Sequence, residues 1–257
     1  MESSLMAETK HLQHSITSGH VWVVVNETSH VPAFWAHPQY GGPFPGIVLL
    51  HDDWGMGAHM RARVHRFAEI GYYVIAPDLF EGQRANSQLE ADALEIYFKD
   101  LALPKVTAAL QALETHRKCN RKMAVIGWDL GAELALQVAL QRRDIMAAVA
   151  FYGDPTSFFG QLSQLNCPVM VINGAEDELT HRTEAQLRAE LAADNKPHQV
   201  LTYPGAPHGF FNDMTPTYVP EAAEDAWFNV LAFLETYQGK PPAPDMNGQN
   251  FWSGRVY

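Results

Sequence analysis

Apolar and polar residues follow one another along this chain in two rhythms, and the switches between them mark its elements. After a polar leader over residues 1–20, Val21 to Val25 and Val31 to Ala36 are β-branched and aromatic runs separated by Asn26 to His30. That is the pattern of an antiparallel strand pair. Ile47 to His51 is then a short apolar strand, followed by helical spacing from Ala58 to Ile70 that stops at Gly71. Tyr73 to Ala76 predicts the next strand, ending at Pro77. Gln88 to His116 keeps a helical period around Pro104, which predicts two helices or one kinked helix, with Leu101, Val106, Leu110 and Leu113 turned inward. Beyond it, strands over Met123 to Gly127, Ala147 to Tyr152, Val169 to Asn173 and Gln199 to Tyr203 are expected. They alternate with helices over Gly131 to Gln141, Arg182 to Ala193 and Glu221 to Tyr237.

Continuously apolar strands that alternate with helices imply a mostly parallel sheet covered on both faces, because a strand buried on both sides has no polar alternation. In such sheets ligands bind at the carboxyl ends of the strands. Residues 21–238 read as one domain, and residues 239–257, rich in Pro, Gly and Asn, as an extended arm packed on the surface through Phe251 and Trp252. A formal charge of −11 leaves no electrostatic basis for holding a phosphate backbone or an anionic membrane. Cys119 and Cys167, the two cysteines, have neither disulfide-framework nor metal-ligand spacing. No stretch approaches the roughly 20 apolar residues of a spanning helix, and residues 1–20 carry no secretory apolar run. The expectation is a cytoplasmic protein, monomer or homodimer, with a small-molecule substrate, no nucleic-acid or membrane partner, and no metal or cofactor.

The chemistry concentrates at three strand ends. Gly127-Trp128-Asp129-Leu130-Gly131 lies between a strand and a helix, the setting of a nucleophile elbow, whose strained turn and close packing call for flanking glycines. A plain helix N-cap is the alternative for Asp129. Downstream, Asp177 follows one strand and His208 the next, giving the order nucleophile, acid, histidine. His208 would be the base and Asp177 its orienting partner, with Glu176 and Glu178 as alternatives for the acid. Leu50-His51-Asp52-Asp53-Trp54-Gly55 ends the first parallel strand, where a loop commonly supplies an oxyanion-hole donor. The two backbone donors are therefore assigned to Leu130 and Asp53, and the Asp53 side chain to a solvated loop or N-cap. An apolar pocket formed by Asp52, Trp54, Phe80, Trp128, Tyr152, Phe158 and Phe210 is expected, with Arg84 as its one nearby cation.

The ordered set resembles the dienelactone hydrolase family over roughly residues 20–237. It comprises Leu50 to Met56, Gly71 to Phe80, the elbow, Gly174 to Asp177, and His208-Gly209-Phe210. The resemblance implies an α/β-hydrolase three-layer sandwich, a sheet of about seven or eight strands with helices on both faces and no large cap domain. It also implies hydrolysis of small esters or lactones without a metal. The family places cysteine at the elbow, glutamate at the position of Asp52, and substrate-binding arginines where Gly82 and Asn212 stand here. Asp129 at the elbow resembles haloalkane dehalogenases and epoxide hydrolases, which open a carbon–halogen bond or an epoxide through an alkyl ester. Three readings stand open: a small ester or lactone hydrolase using Asp129, His208 and Asp177; a dehalogenase or epoxide hydrolase; and a non-catalytic binding protein on a hydrolase fold.

Overall fold

The computed structural model describes residues 13–193 and 196–244. Strands β1 (Ile16–Val24) and β2 (His30–Pro38) form the expected antiparallel pair, in register from Ile16 opposite Pro38 to Val24 opposite His30. Residues 16–20 are thus strand rather than leader. Then follow β3 (Phe44–Leu50), α1 (Ala58–Glu69), β4 (Tyr73–Pro77), α2 (Gln88–Thr115), β5 (Cys119–Trp128) and α3 (Leu130–Gln141). The chain continues through β6 (Ile145–Phe151), β7 (Val169–Gly174), α4 (Glu178–Ala192), β8 (His198–Tyr203) and α5 (Pro220–Gln238). The contacts expected of Phe251 and Trp252 lie outside the described residues.

All eight strands join one sheet in the order β1-β2-β4-β3-β5-β6-β7-β8, parallel from β4 to β8 and antiparallel at the first two pairings. Successive residues of β3 feed opposite faces. Val48 and Leu50 join the core beneath α2 and α3, whereas Ile47 and Leu49 join the core beneath α1 and α5. Burial on both sides is what makes these strands continuously apolar. The chain runs from β3 outward to β4 and then returns to place β5 on the other side of β3. That reversal opens a crevice at the carboxyl ends of β3 and β5, the usual place for a ligand in an open α/β sheet. Between β6 and β7 only two short 3-10 turns, Thr156–Phe158 and Leu162–Gln164, are inserted, so no cap domain stands there.

Two helices differ from expectation in informative ways. α2 is a single helix that runs through Pro104. Its inward stripe is Phe98, Ala102, Val106, Ala109, Leu110 and Leu113, and Leu101 lies off that stripe and is 46% exposed. α4 starts four residues earlier than the apolar spacing suggests, because the Asp177 carboxylate caps it by accepting the Leu179 N–H at 2.9 Å.

Candidate active site

The elbow is built by exclusion. A Cβ on Gly127 would lie 1.9 Å from the Gly131 carbonyl oxygen, and one on Gly131 would lie 2.3 Å from that of Leu50. With both positions empty, β5 passes into α3 in one residue, and Asp129 takes φ +50°, ψ −118° at the turn. A non-glycine residue in this region is costly to hold and is seen mainly where function requires it. The turn lifts the Asp129 carboxylate to the sheet edge.

There it meets His208. The Nε2 of His208 donates to Asp129 Oδ1 at 2.6 Å, and Nδ1 donates to Asp177 Oδ2 at 2.7 Å. Of the three candidate acids, Asp177 is buried against the imidazole, while Glu176 and Glu178 are exposed. Asp177 serves two ends, using Oδ1 to cap α4 and Oδ2 to fix His208. Burial disfavours the imidazolium, but hydrogen bonds and charge from Asp129 and Asp177 outweigh it and push the His208 pKa up to about 10. Burial likewise pushes Asp129 above the ordinary carboxylate range, against the pull of His208. Both ring nitrogens face carboxylate oxygens, an arrangement that favours the imidazolium. Asp177 is held below the usual range because His208 and the Leu179 N–H outweigh the cost of its burial.

The loop after β3 is pinned to the loop after β4 by His51, which is fully buried. Its Nδ1 donates to the Asp52 carbonyl at 2.7 Å, and its Nε2 accepts the Leu79 N–H at 3.0 Å. This pair of bonds fixes the neutral tautomer, and burial lowers the pKa in the same direction. Asp52 accepts the Trp54 N–H at 3.0 Å with one oxygen and faces His59 Nε2 at 3.2 Å with the other. The carboxylate of Asp53 departs from expectation. It is not a solvated loop group but accepts the Leu130 N–H at 3.0 Å. One of the two expected oxyanion donors is therefore already engaged, while the other, Asp53 N–H, has no protein acceptor among the described residues.

A cavity is bounded by Asp52, His59, Met60, Arg63, Trp128, Tyr152, Phe211 and Asn212. It holds only about 10 Å³, room for roughly one water. Of the expected pocket residues it takes Asp52, Trp128 and Tyr152. Phe80 and Phe210 are fully buried core side chains, Phe80 against His51 and Phe98 and Phe210 against Tyr152 and Tyr203. Phe158 also packs into the core. Trp54 is exposed, and so is Arg84, which stands over Gly57 outside the cavity. The cation that does line it is Arg63, which donates to the Phe211 carbonyl at 2.8 Å and pairs with Asp213 at 3.2 Å. Its signal was in the sequence, since Met60, Arg63, Val64 and Phe67 form the inward stripe of α1. A larger groove of about 700 Å³ among Val21, Trp35, Tyr73 and His116 contains none of the expected site residues.

The profile of the dienelactone hydrolase family matches residues 31–238. The chain belongs to that family. Its fold and family make it a hydrolase, and the residue at its elbow distinguishes it from the cysteine pattern that the resemblance implied. Protein usf of Aquifex pyrophilus is 28% identical over 218 residues, covering 80% of this chain and 94% of the relative. A protein of Escherichia coli (strain K12), provisionally named a carboxymethylenebutenolidase, is 26% identical over 234 residues, covering 84% and 86%. Among solved structures, a dienelactone hydrolase-like promiscuous phosphotriesterase from metagenomic libraries superposes with a TM-score of 0.77. It is 23% identical and the match covers 87% of this chain and 99% of that one, so it speaks for the fold. Among the described residues no cluster of side chains is arranged to hold a metal ion, and no helix is long and apolar enough to cross a membrane.

Proposed function

We propose that this family member hydrolyses a small molecule through a covalent ester on Asp129, with His208 and Asp177 driving the second half of the reaction. The observation that carries the reading is His208 set between the two carboxylates at 2.6 and 2.7 Å. A carboxylate attacking an ester carbonyl would give a high-energy anhydride. Attack on a saturated carbon that bears halide or an epoxide oxygen gives an ordinary alkyl ester instead. In that step an Asp129 oxygen bonds to carbon, and the leaving atom departs with the electron pair, as halide or as an alkoxide that takes the His208 proton.

Esterification removes one of the two anions that hold His208 protonated. With halide as leaving group, the imidazole then sheds its proton to solvent; with an alkoxide it has already done so. Neutral His208 takes a proton from water, whose oxygen adds to the Asp129 carboxyl carbon. Collapse expels the alcohol, protonated by His208, and the Asp129 carboxyl group then passes its proton to His208, which restores the resting pair. Asp177 stays ionised and keeps the ring oriented.

A second reading, cleavage of a small ester or lactone by water that His208 activates with Asp129, is supported by family membership. A His208→Gln variant separates the two when it is treated with a haloacid, an epoxide, an aryl ester and a lactone. The covalent reading expects the alkyl group to remain on the peptide containing Asp129, seen as a mass gain. Wild-type turnover of aryl ester or lactone alone, with no adduct in the variant, favours the second reading. No turnover of any of the four favours a binding role.

A further inference from the structure

The main-chain N–H after an elbow residue is the group that receives a developing oxyanion in hydrolases of this fold. Here that N–H, on Leu130, opens α3, where unpaired first-turn donors and the helix dipole favour an anion. The anion it holds is the protein's own, Asp53 Oδ1 at 3.0 Å. The Asp53 carboxylate thus stands where the oxygen of a tetrahedral intermediate would stand.

We infer that Asp53 is a specificity-determining residue: by filling the oxyanion position at Leu130 it disfavours carbonyl substrates, whose first step creates an oxyanion there, relative to saturated carbons, whose first step does not. For the native enzyme the inference rests on the Asp129 ester reading, but the contact with Leu130 does not depend on it. The second half of that reaction does form an oxyanion, when water adds to the Asp129 carboxyl carbon and the electron pair moves to its carbonyl oxygen. Asp53 must release Leu130 at that stage.

The surroundings show how release occurs. Asp53 sits on a loop whose backbone is anchored through His51 and Asp52, so a side-chain rotation, rather than a loop movement, vacates the position. Around it stand Asp129, Glu95 and Asp52, with Glu133 on the first turn of α3. Burial first, and this negative company second, push the Asp53 pKa up to about 7 against the Leu130 N–H, which lowers it. Near neutrality a large fraction of Asp53 is therefore an uncharged acid, which the helix N-terminus holds less firmly.

The test uses Asp129→Ser, which installs an acyl nucleophile beside His208 and needs the oxyanion position whatever the native substrate is. Adding Asp53→Ala is expected to raise kcat/KM for p-nitrophenyl acetate by about 10²-fold, the scale of a single oxyanion donor. Adding Asp53→Asn, whose amide oxygen still accepts from Leu130, is expected to gain less. Equal rates with and without Asp53→Ala, or folded but inactive enzyme in both forms, overturn the inference and leave the Asp129 reading untouched. A second readout needs no activity: the Leu130 amide signal in the native protein should titrate with a midpoint of about 7 and lose that titration in Asp53→Asn. A Leu130 amide that does not respond to pH also overturns it.

Discussion

Asp177 is where two structural demands meet in one side chain. One oxygen caps α4 and the other orients His208, so different replacements separate the roles. Asp177→Asn keeps a good capping oxygen, so apart from the lost charge toward His208 it should leave α4 intact while lowering kcat by roughly 10³- to 10⁴-fold through loss of imidazole orientation. Asp177→Ala should lose about 1 kcal/mol of stability as well, measured by urea denaturation. A normal kcat in the Asn variant would remove Asp177 from the relay. At this scale the sequence was legible where a residue's place follows from its neighbours in the chain: Asp129 at a strand-to-helix turn from its flanking glycines, and Asp177 and His208 beyond successive strands from their order. It was not legible where a role depends on which loop lies opposite. Nothing in the run His51 to Gly55 indicates that the Asp53 carboxylate reaches Leu130, 77 residues away, and nothing around Phe80 indicates that it turns into the core.

The elements matter to the site because three of them must approach within backbone contact of one another. β5, α3 and the end of β3 converge where Gly131 leaves no room for a Cβ, the nearest atom being the Leu50 carbonyl oxygen at 2.3 Å. Gly131→Ala must therefore push α3 away from the β3 end, at a cost of about 3 kcal/mol or more, and carry Asp129 out of reach of His208. Denaturant unfolding together with a kcat measurement checks this, and a folded, fully active variant would contradict the close-approach argument. Strand and helix types were readable from periodicity because the sheet is covered on both faces and each helix buries one stripe. Boundaries were less so: caps decide them, as Asp177 does for α4. Leu101 shows the limit of judging an inward face by residue type, since the period of α2 carries Ala102 inward in its place.

For the molecule as a whole, two carboxyl groups near the elbow have a folded pKa above the unfolded value. Asp53 rises from 3.8 to about 7 and Glu133 from 4.5 to about 8, both mainly by burial, so between about pH 4 and 8 the native state keeps protons that the unfolded chain has released. Against His14, His37, His51 and His116, whose pKa burial lowers and which act the other way, the contribution of Asp53 and Glu133 must then fall as pH rises through that window. His208 acts in the same direction at higher pH: its contribution is fully present below 6.5 and is lost as pH rises through about 10. Urea unfolding at about pH 5 and about pH 8 should show the native protein losing more stability, or gaining less, than an Asp53→Asn, Glu133→Gln variant; an equal change in both proteins would contradict this. The account as a whole turns on whether Asp129 bonds to substrate. A single turnover of a haloacid or epoxide in heavy-oxygen water, followed by mass spectrometry of the peptide containing Asp129, decides it. The account predicts labelled oxygen in Asp129 and unlabelled oxygen in the first product. Label in the product at once, with Asp129 unlabelled, would contradict it.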